Sequence, residues 1–308
     1  MRDVIDVNAW LGHWPYQYFH DDTAALLEER LSAEGVGLAL VGSPEAALNP
    51  DCLETNRILL QRLAGSRMLL PVLAVDPTKG DGPDILALAR SVRAPAVRLF
   101  PGYHCYELGS APALALVEQV ARTGGMALFV QVRMEDERTH HPLCRIPPVK
   151  IESIVDLARR FPSLRIVAQC PLFHEAVELS KGPANLSFDI SHVEMLRTLV
   201  AITEQVPVER VLYGTHVPFL QSRAAFMKLD APYVTPAMRA AVGWENARAL
   251  FGASLAAPKA GAVRRPAKAA TPARAPKKAG GTAANVAKRR PGSAPSKTAR
   301  KPGSRRRK

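Results

Sequence analysis

Residues 6–12 read DVNAWLG. They complete an apolar run, VIDVNA at 4–9, which passes through Trp10 and Gly12 into a short turn. Near-continuous apolar character of this length marks a parallel strand buried on both faces. Seven further runs repeat it: LALVGS (38–43), LLPVLAVD (69–76), AVRLF (96–100), ALFVQV (127–132), LRIVAQ (164–169), LSFDI (186–190) and RVLYGT (210–215). Helical stretches such as DDTAALLEERLSAEG (21–35) and APALALVEQVARTGG (111–125) lie between them. Both carry apolar residues at i, i+3, i+4 spacing and end at Gly, a usual helix stop. Eight strands in 256 residues give about 32 residues per βα unit, the repeat of a (β/α)8 TIM-barrel. A doubly wound open sheet is the weaker reading, because no glycine-rich phosphate loop follows the first strand. The stretch TPAMRAAVGWENARALFG (235–252) is expected to close the domain as one or two helices.

The net charge of +13 over 308 residues is unevenly placed. Residues 257–308 hold 17 Lys and Arg and no Asp or Glu, so the tail is +17 and residues 1–256 are about −4. The sequence therefore predicts two parts, a barrel over 1–256 and a disordered Ala/Lys/Pro/Arg-rich tail over 257–308. The tail has too little apolar surface to offset its ordering entropy. Its RRP, APKK, AKRRPGS and SRRRK segments resemble the basic tails of linker histones and bacterial histone-like proteins. Spaced cations without aromatic residues favour non-specific, salt-sensitive contact with nucleic acid or polyphosphate. A solubilising tail is the plainer alternative.

No apolar run approaches the roughly 20 residues of a membrane span, so no membrane partner is expected. The start, MRDVIDV, lacks a signal core. Four cysteines (Cys52, Cys105, Cys144 and Cys170) stand apart with no CxxC. Free thiols in a large chain predict a reducing, cytoplasmic setting, with nucleoid association through the tail.

In a barrel of this kind, chemistry sits at the C-terminal strand ends. Those ends carry Asn8 and Trp10, Ser43, Asp76, Arg98 with Tyr103 and His104, Gln131, Gln169 with Cys170, Asp189 followed by His192, and His216. The loop after the fifth strand, RMEDERTHH (133–141), has seven ionisable residues in nine, among them Arg133, Glu135, Asp136, Arg138, His140 and His141. A polar rim is also what any solvated barrel mouth shows, but loops so rich in charge commonly bind ligands. Trp14-Pro15-Tyr16 reads as a packed loop over the mouth, and the cysteines read as buried thiols.

At these residues the chain resembles the amidohydrolase superfamily, in its amidohydrolase-related branch. DVNAWLG stands where that family has D-x-H-x-H-x-G, FPSLRIVAQC replaces a segment ending in His, and RVLYGTHVPF replaces one with G-S-D-x-P. ENARALFG is similar to the family's N-A-x-x-L-F helix. The resemblance implies a TIM-barrel hydrolase with a divalent metal, Zn²⁺, Mn²⁺ or Fe²⁺, held at positions matching Asn8, Trp10, Gln131, Gln169 and His216. All five depart from the family's ligands. Asn and Gln keep an amide oxygen but lose the imidazole, and Trp offers no usable lone pair. A metal-free site is thus an equal reading.

Two functions follow. In the first, the chain is a hydrolase or related lyase acting on a small anionic molecule through an altered site. His216, Glu135 and Asp136 are its acid–base residues. Arg98 and Arg133 clamp an anion, and Asn8, Trp10, Tyr103, His104, Gln131, Gln169 and Asp189 complete the binding set. His140, His141, Asp136 and His216 are candidates for a relocated metal. In the second, the barrel is inactive and binds a small ligand or a partner, tethered to nucleic acid by its tail. A homodimer is compatible with both.

Overall fold

The structure is a computed structural model, and it describes residues 3–20, 22–138, 140 and 145–256. Eight parallel strands run in the order β1 to β8 and form a TIM barrel. They are β1 (Val4–Trp10), β2 (Val36–Gly42), β3 (Leu69–Ala74), β4 (Ala96–Leu99), β5 (Ala127–Gln131), β6 (Ile166–Gln169), β7 (Leu186–Asp189) and β8 (Val211–Leu212). Every strand expected from apolar patterning is present. The strand β8 is shorter than RVLYGT suggests. Past Leu212 the chain still bonds to β1, but irregularly. Val7 N–H donates to Tyr213 O at 3.0 Å, His216 N–H to Asn8 O at 2.7 Å and Trp10 N–H to Val217 O at 2.9 Å. The Asp6 carboxylate takes the Thr215 N–H and hydroxyl at 3.1 and 2.6 Å, in place of ladder bonds. This seam closes the barrel.

The helices include α1 (Ala24–Ala33), α2 (Cys52–Arg62), α3 (Gly82–Ser91), α4 (Ala111–Thr123), α5 (Ile151–Arg160), α6 (Phe173–Ser180), α7 (Thr198–Thr203) and α8 (Ser222–Leu229). Thr23 caps α1 by accepting from Leu26 N–H, and Asp51 caps α2 by accepting from Glu54 N–H. The outward faces of the strands meet the buried faces of these helices, such as Ile151, Ile154, Val155 and Ala158 of α5.

The expected closing helices are α9 (Pro236–Ala240) and α10 (Asn246–Phe251), joined by a single π turn. Ala247, Phe251 and Leu255 insert among Ile5, Leu70, Val72, Ala96, Ala127 and Phe129. These strand residues lie early in their strands, so the C-terminal helix plugs the floor of the barrel. Among the described residues no helix is long and apolar enough to cross a membrane. Cys144, His141 and the whole basic tail lie outside the described residues.

Candidate functional site

A polar layer lies above the apolar floor, at the C-terminal ends of the strands. It gathers Asn8, Asp6, Arg98, Gln131, Gln169, Asp189, Ser191 and His216, all of them buried. The register between β1 and β2 shifts between Asp6 and Ala9. Asn8 and Trp10 stand two residues apart on β1, so the alternation of the strand turns both to the inside. The five positions matched to the family's metal ligands therefore do converge, but on one another.

His216 is fully buried and saturated. Its Nδ1 accepts from Trp10 Nε1–H at 2.9 Å, and its Nε2 lies 2.6 Å from the Met134 carbonyl, to which it donates. These two bonds fix one neutral tautomer. Burial and the nearby His192 hold the His216 pKa well below the ordinary imidazole range. Phe219 stacks on its ring with centroids 4.8 Å apart, and His192 meets it edge-on at 5.1 Å.

Cys170 sits directly opposite. Its sulfur receives Asn8 Nδ2 and Gln131 Nε2 at 3.2 Å each and Ser191 Oγ at 3.4 Å, and lies 3.3 Å from His216 Nδ1. Burial pushes this thiol up to about 12. Asp189 supports the arrangement by accepting from Cys170 N–H at 3.0 Å, Asn8 Nδ2 at 3.2 Å and Ser191 N–H at 2.8 Å. Cys170 and His216 both adopt positive φ, 60° and 56°. Left-handed backbone at non-glycine residues is strained and concentrates where side chains must be aimed.

Arg98 points inward from β4 and lies over the Trp10 ring at 3.8 Å, with Phe129 at 5.6 Å. Its three guanidinium nitrogens have no hydrogen-bond partner among the described residues. Burial lowers its pKa to about 9. Gly42 makes room for it, since a Cβ there would come within 2.6 Å of Nη1. The other arginine of the expected clamp, Arg133, is engaged elsewhere. It forms a two-pronged pair with Glu175 at 2.6 Å and donates to Cys170 O at 2.8 Å. It thereby braces the strand 5 and strand 6 ends.

A cavity of about 660 Å³ opens at the mouth, lined by Met134, Glu135, Asp136, Phe173, His192 and Phe219 among others. Met134, His192 and Phe219 separate it from His216. Glu135 accepts from Trp14 Nε1–H at 3.1 Å, and Asp136 is paired with Arg138 at 2.5 Å. That pairing holds the Asp136 carboxyl down at about 2. His140 lies 4.0 Å from Glu135. Of the Trp14-Pro15-Tyr16 loop only Trp14 is buried, and Pro15 and Tyr16 are exposed. Tyr103 packs against Trp14 with centroids 5.9 Å apart, and His104 turns away to Phe100 and the Ala46 carbonyl. His192 is the residue to which sequence reasoning gave no role. It follows Asp189, Ile190 and Ser191 just past the β7 end, and that position was the signal available.

The class defined by this fold is a TIM barrel with its polar layer and cavity at the C-terminal strand ends. The amidohydrolase family model matches residues 11–253, and the chain belongs to that family. Three solved structures share the fold. A 5-carboxyvanillate decarboxylase from Sphingomonas paucimobilis is 14% identical, with TM-score 0.60 over 82% of this chain and 99% of that one. A dihydroxybenzoic acid decarboxylase from Polaromonas, solved with bound manganese and 2-nitroresorcinol, is 15% identical, with TM-score 0.59 over 82% and 97%. A protein from Pseudomonas putida described as a putative 2-pyrone-4,6-dicarboxylic acid hydrolase is 20% identical, with TM-score 0.58 over 82% and 98%. No curated protein matches the chain.

The family's metal does not fit the five matched positions. They supply neutral amides, an indole and a saturated imidazole, with no anionic ligand. Trp10 N–H already occupies the His216 lone pair, and the Arg98 cation lies against the same indole. A hard divalent ion would face neutral ligands beside a fixed positive charge.

Proposed function

We propose that this chain takes a small carboxylate-bearing molecule into the mouth cavity and acts on it as an altered hydrolase or lyase, without metal-activated water at the family's five positions. The observation that carries the reading is the placement of His192. It lines the cavity and touches His216, so it joins the buried polar layer to the space where a ligand would sit. Leu172, Phe173, Phe219 and Leu220 give the cavity apolar walls, and Arg138, His174 and His192 stand beside Glu135, Asp136 and Glu194 as its polar groups, a lining that would take a small aromatic or conjugated acid on the side of Arg138 and the histidines. The three structural relatives named above are described by their action on such acids.

In this reading His192 meets the bound molecule and exchanges a proton with it. Glu135, held by the Trp14 indole, is the wall carboxylate positioned to share that task, and Asp136 orients Arg138 at the rim. His216 acts behind His192 and not on the substrate. Asn8, Gln131, Gln169 and Asp189 hold the layer beneath, and Arg98 supplies the cation there.

The test is calorimetry and turnover of the 308-residue protein against a panel of aromatic mono- and dicarboxylates. Binding with turnover, lost at least about tenfold in His192→Gln, supports the reading. Binding without turnover moves the protein to the second reading, a ligand-binding barrel, which the sealing of His216 by Trp10 and Met134 favours. No binding to any acid of the panel overturns both.

For residues 257–308 we infer charge-driven contact with nucleic acid or polyphosphate. This rests on 17 cations without a balancing carboxylate. The full chain should retard DNA steeply less as salt rises, and a 1–256 form should not retard it. Nucleoid association in the cytoplasm follows from the same contact. A barrel homodimer is checked by sedimentation of the 1–256 form.

A further inference from the structure

Three side chains from different strand ends meet here, and of them only His216 stands at a position matched to a family ligand. Cys170 follows β6, His192 follows β7 and His216 follows β8. Each offers one ligand atom, and these atoms all lie within 4.8 Å of one another. We propose that Cys170, His192 and His216 form a soft-metal site of the Zn²⁺ class, which keeps only His216 of the five matched positions.

Three observations bear on it. The first is the ligand chemistry. One thiolate and two imidazoles suit Zn²⁺, Co²⁺ or Cd²⁺ and disfavour Mn²⁺ and Mg²⁺. The thiolate supplies the anionic ligand that Asn8, Gln131 and Gln169 lack. The second is the set of donors aimed at sulfur. Asn8, Gln131 and Ser191 direct two N–H groups and one O–H at Cys170 Sγ, between 3.2 and 3.4 Å. A neutral thiol accepts weakly, whereas a thiolate satisfies all three. Asp189 adds a carboxylate through the Cys170 and Asn8 hydrogen bonds and helps to balance a bound cation. The third is the backbone. Cys170 and His216 both hold left-handed φ values, 60° and 56°, which aim their side chains at each other across 3.3 Å.

The proton accounting is simple. Binding M²⁺ releases the Cys170 thiol proton, so the thiolate–metal unit carries a net +1. His216 keeps its Nε2 proton on the Met134 carbonyl and coordinates through Nδ1. The Trp10 N–H, which caps that lone pair in the metal-free form, is displaced. Trp10 thereby reports occupancy, and a phenylalanine in its place should favour the metal. His192 lines the mouth cavity, so a bound ion would border that space.

The experiment uses chelator-treated, tag-free 308-residue protein titrated with Co²⁺. One equivalent should bind with tetrahedral visible bands and a near-ultraviolet thiolate-to-cobalt band, and Zn²⁺ should displace it. Tryptophan emission should change over the same titration. Cys170→Ala should lose the thiolate band, and His192→Gln should weaken binding about tenfold or more. Trp10→Phe should keep the band and bind more tightly. No binding, binding without the thiolate band, or a band that persists in Cys170→Ala overturns the site. If Cys170→Ala fails to fold, unchanged affinity in His192→Gln overturns it instead. None of these readouts involves a carboxylate ligand, so their failure leaves the reading of the mouth cavity standing.

Discussion

Two layers of the barrel interior lie a few residues apart on the same strands. Below, Ile5, Leu70, Val72, Ala127 and Phe129 close on Phe251 and Leu255 from the C-terminal helix. Above, Asn8, Arg98, Gln131, Gln169, Asp189 and His216 face one another, all buried. The lower layer is held by close packing, which needs only apolar volume in the right places. The upper layer keeps polar groups where apolar ones would pack as well. Arg98 retains its charge there without a hydrogen-bonding side chain among the described residues. Buried polarity of this kind is unfavourable to stability unless fully paired. Its retention in one layer and absence from the other separates the part of the barrel that makes the fold from the part that does something with it.

The largest effect should come from the floor. Phe251→Ala removes the ring that packs on Phe129 with centroids 5.9 Å apart. It should destabilise the protein by about 3–5 kcal/mol in denaturant melts. A much smaller loss would mean that the floor is not the stabilising layer.

The next effect is a pH dependence in the upper layer. Burial raises the Asp6 pKa from 3.8 to about 6. The folded state then holds this proton more tightly than the unfolded chain. Asp6 contributes stability that is complete below 3.8 and lost as pH rises through about 6. The loss amounts to about 3 kcal/mol. Asp6→Asn should remove that fall, whatever it does to stability at a single pH. Equal slopes in both proteins between pH 4 and 6 would break the contrast between the layers.

Gly214→Ala probes the fit of the upper layer. A Cβ there would come within 2.9 Å of Asp189. Overpacking of that order should lower stability by about 1–3 kcal/mol. The smallest effect belongs to the rim. Arg138→Ala should leave the denaturant midpoint unchanged, because Arg138 is exposed and its pair with Asp136 is screened by water. Carbon-detected titration should show the Asp136 carboxyl rising from about 2 toward the ordinary range, since Arg138 is the main cause of its depression.

The barrel was legible because its signal is local. Apolar runs of strand length alternate with helical patterns, and each βα unit carries its own record of which faces are buried. The resemblance likewise marked Asn8, Trp10, Gln131, Gln169 and His216, and all five meet inside. What these residues do to one another was not legible. Arg98 and Arg133 look alike at two strand ends, yet one stacks on Trp10 and the other is paired with Glu175 of α6. His216 reads as an acid–base residue and is sealed by Trp10, Met134 and Phe219. His192 stands among the strand-end residues in the sequence with no role of its own, and it lines the cavity.

The sequence by itself determined the eight-stranded repeat, the polar residues at its strand ends and the separation of a basic tail from a mildly acidic body. Each of these is written in residues near one another in the chain. Only the tertiary structure decided that Trp10 would donate to His216 across 206 positions, or that Cys170, His192 and His216 would converge. The reason is geometric. Strand patterning fixes which face a side chain takes, but barrel closure fixes which side chains share the interior. That closure depends on the irregular seam between β1 and residues 213–217, whose hydrogen bonds no local pattern reveals.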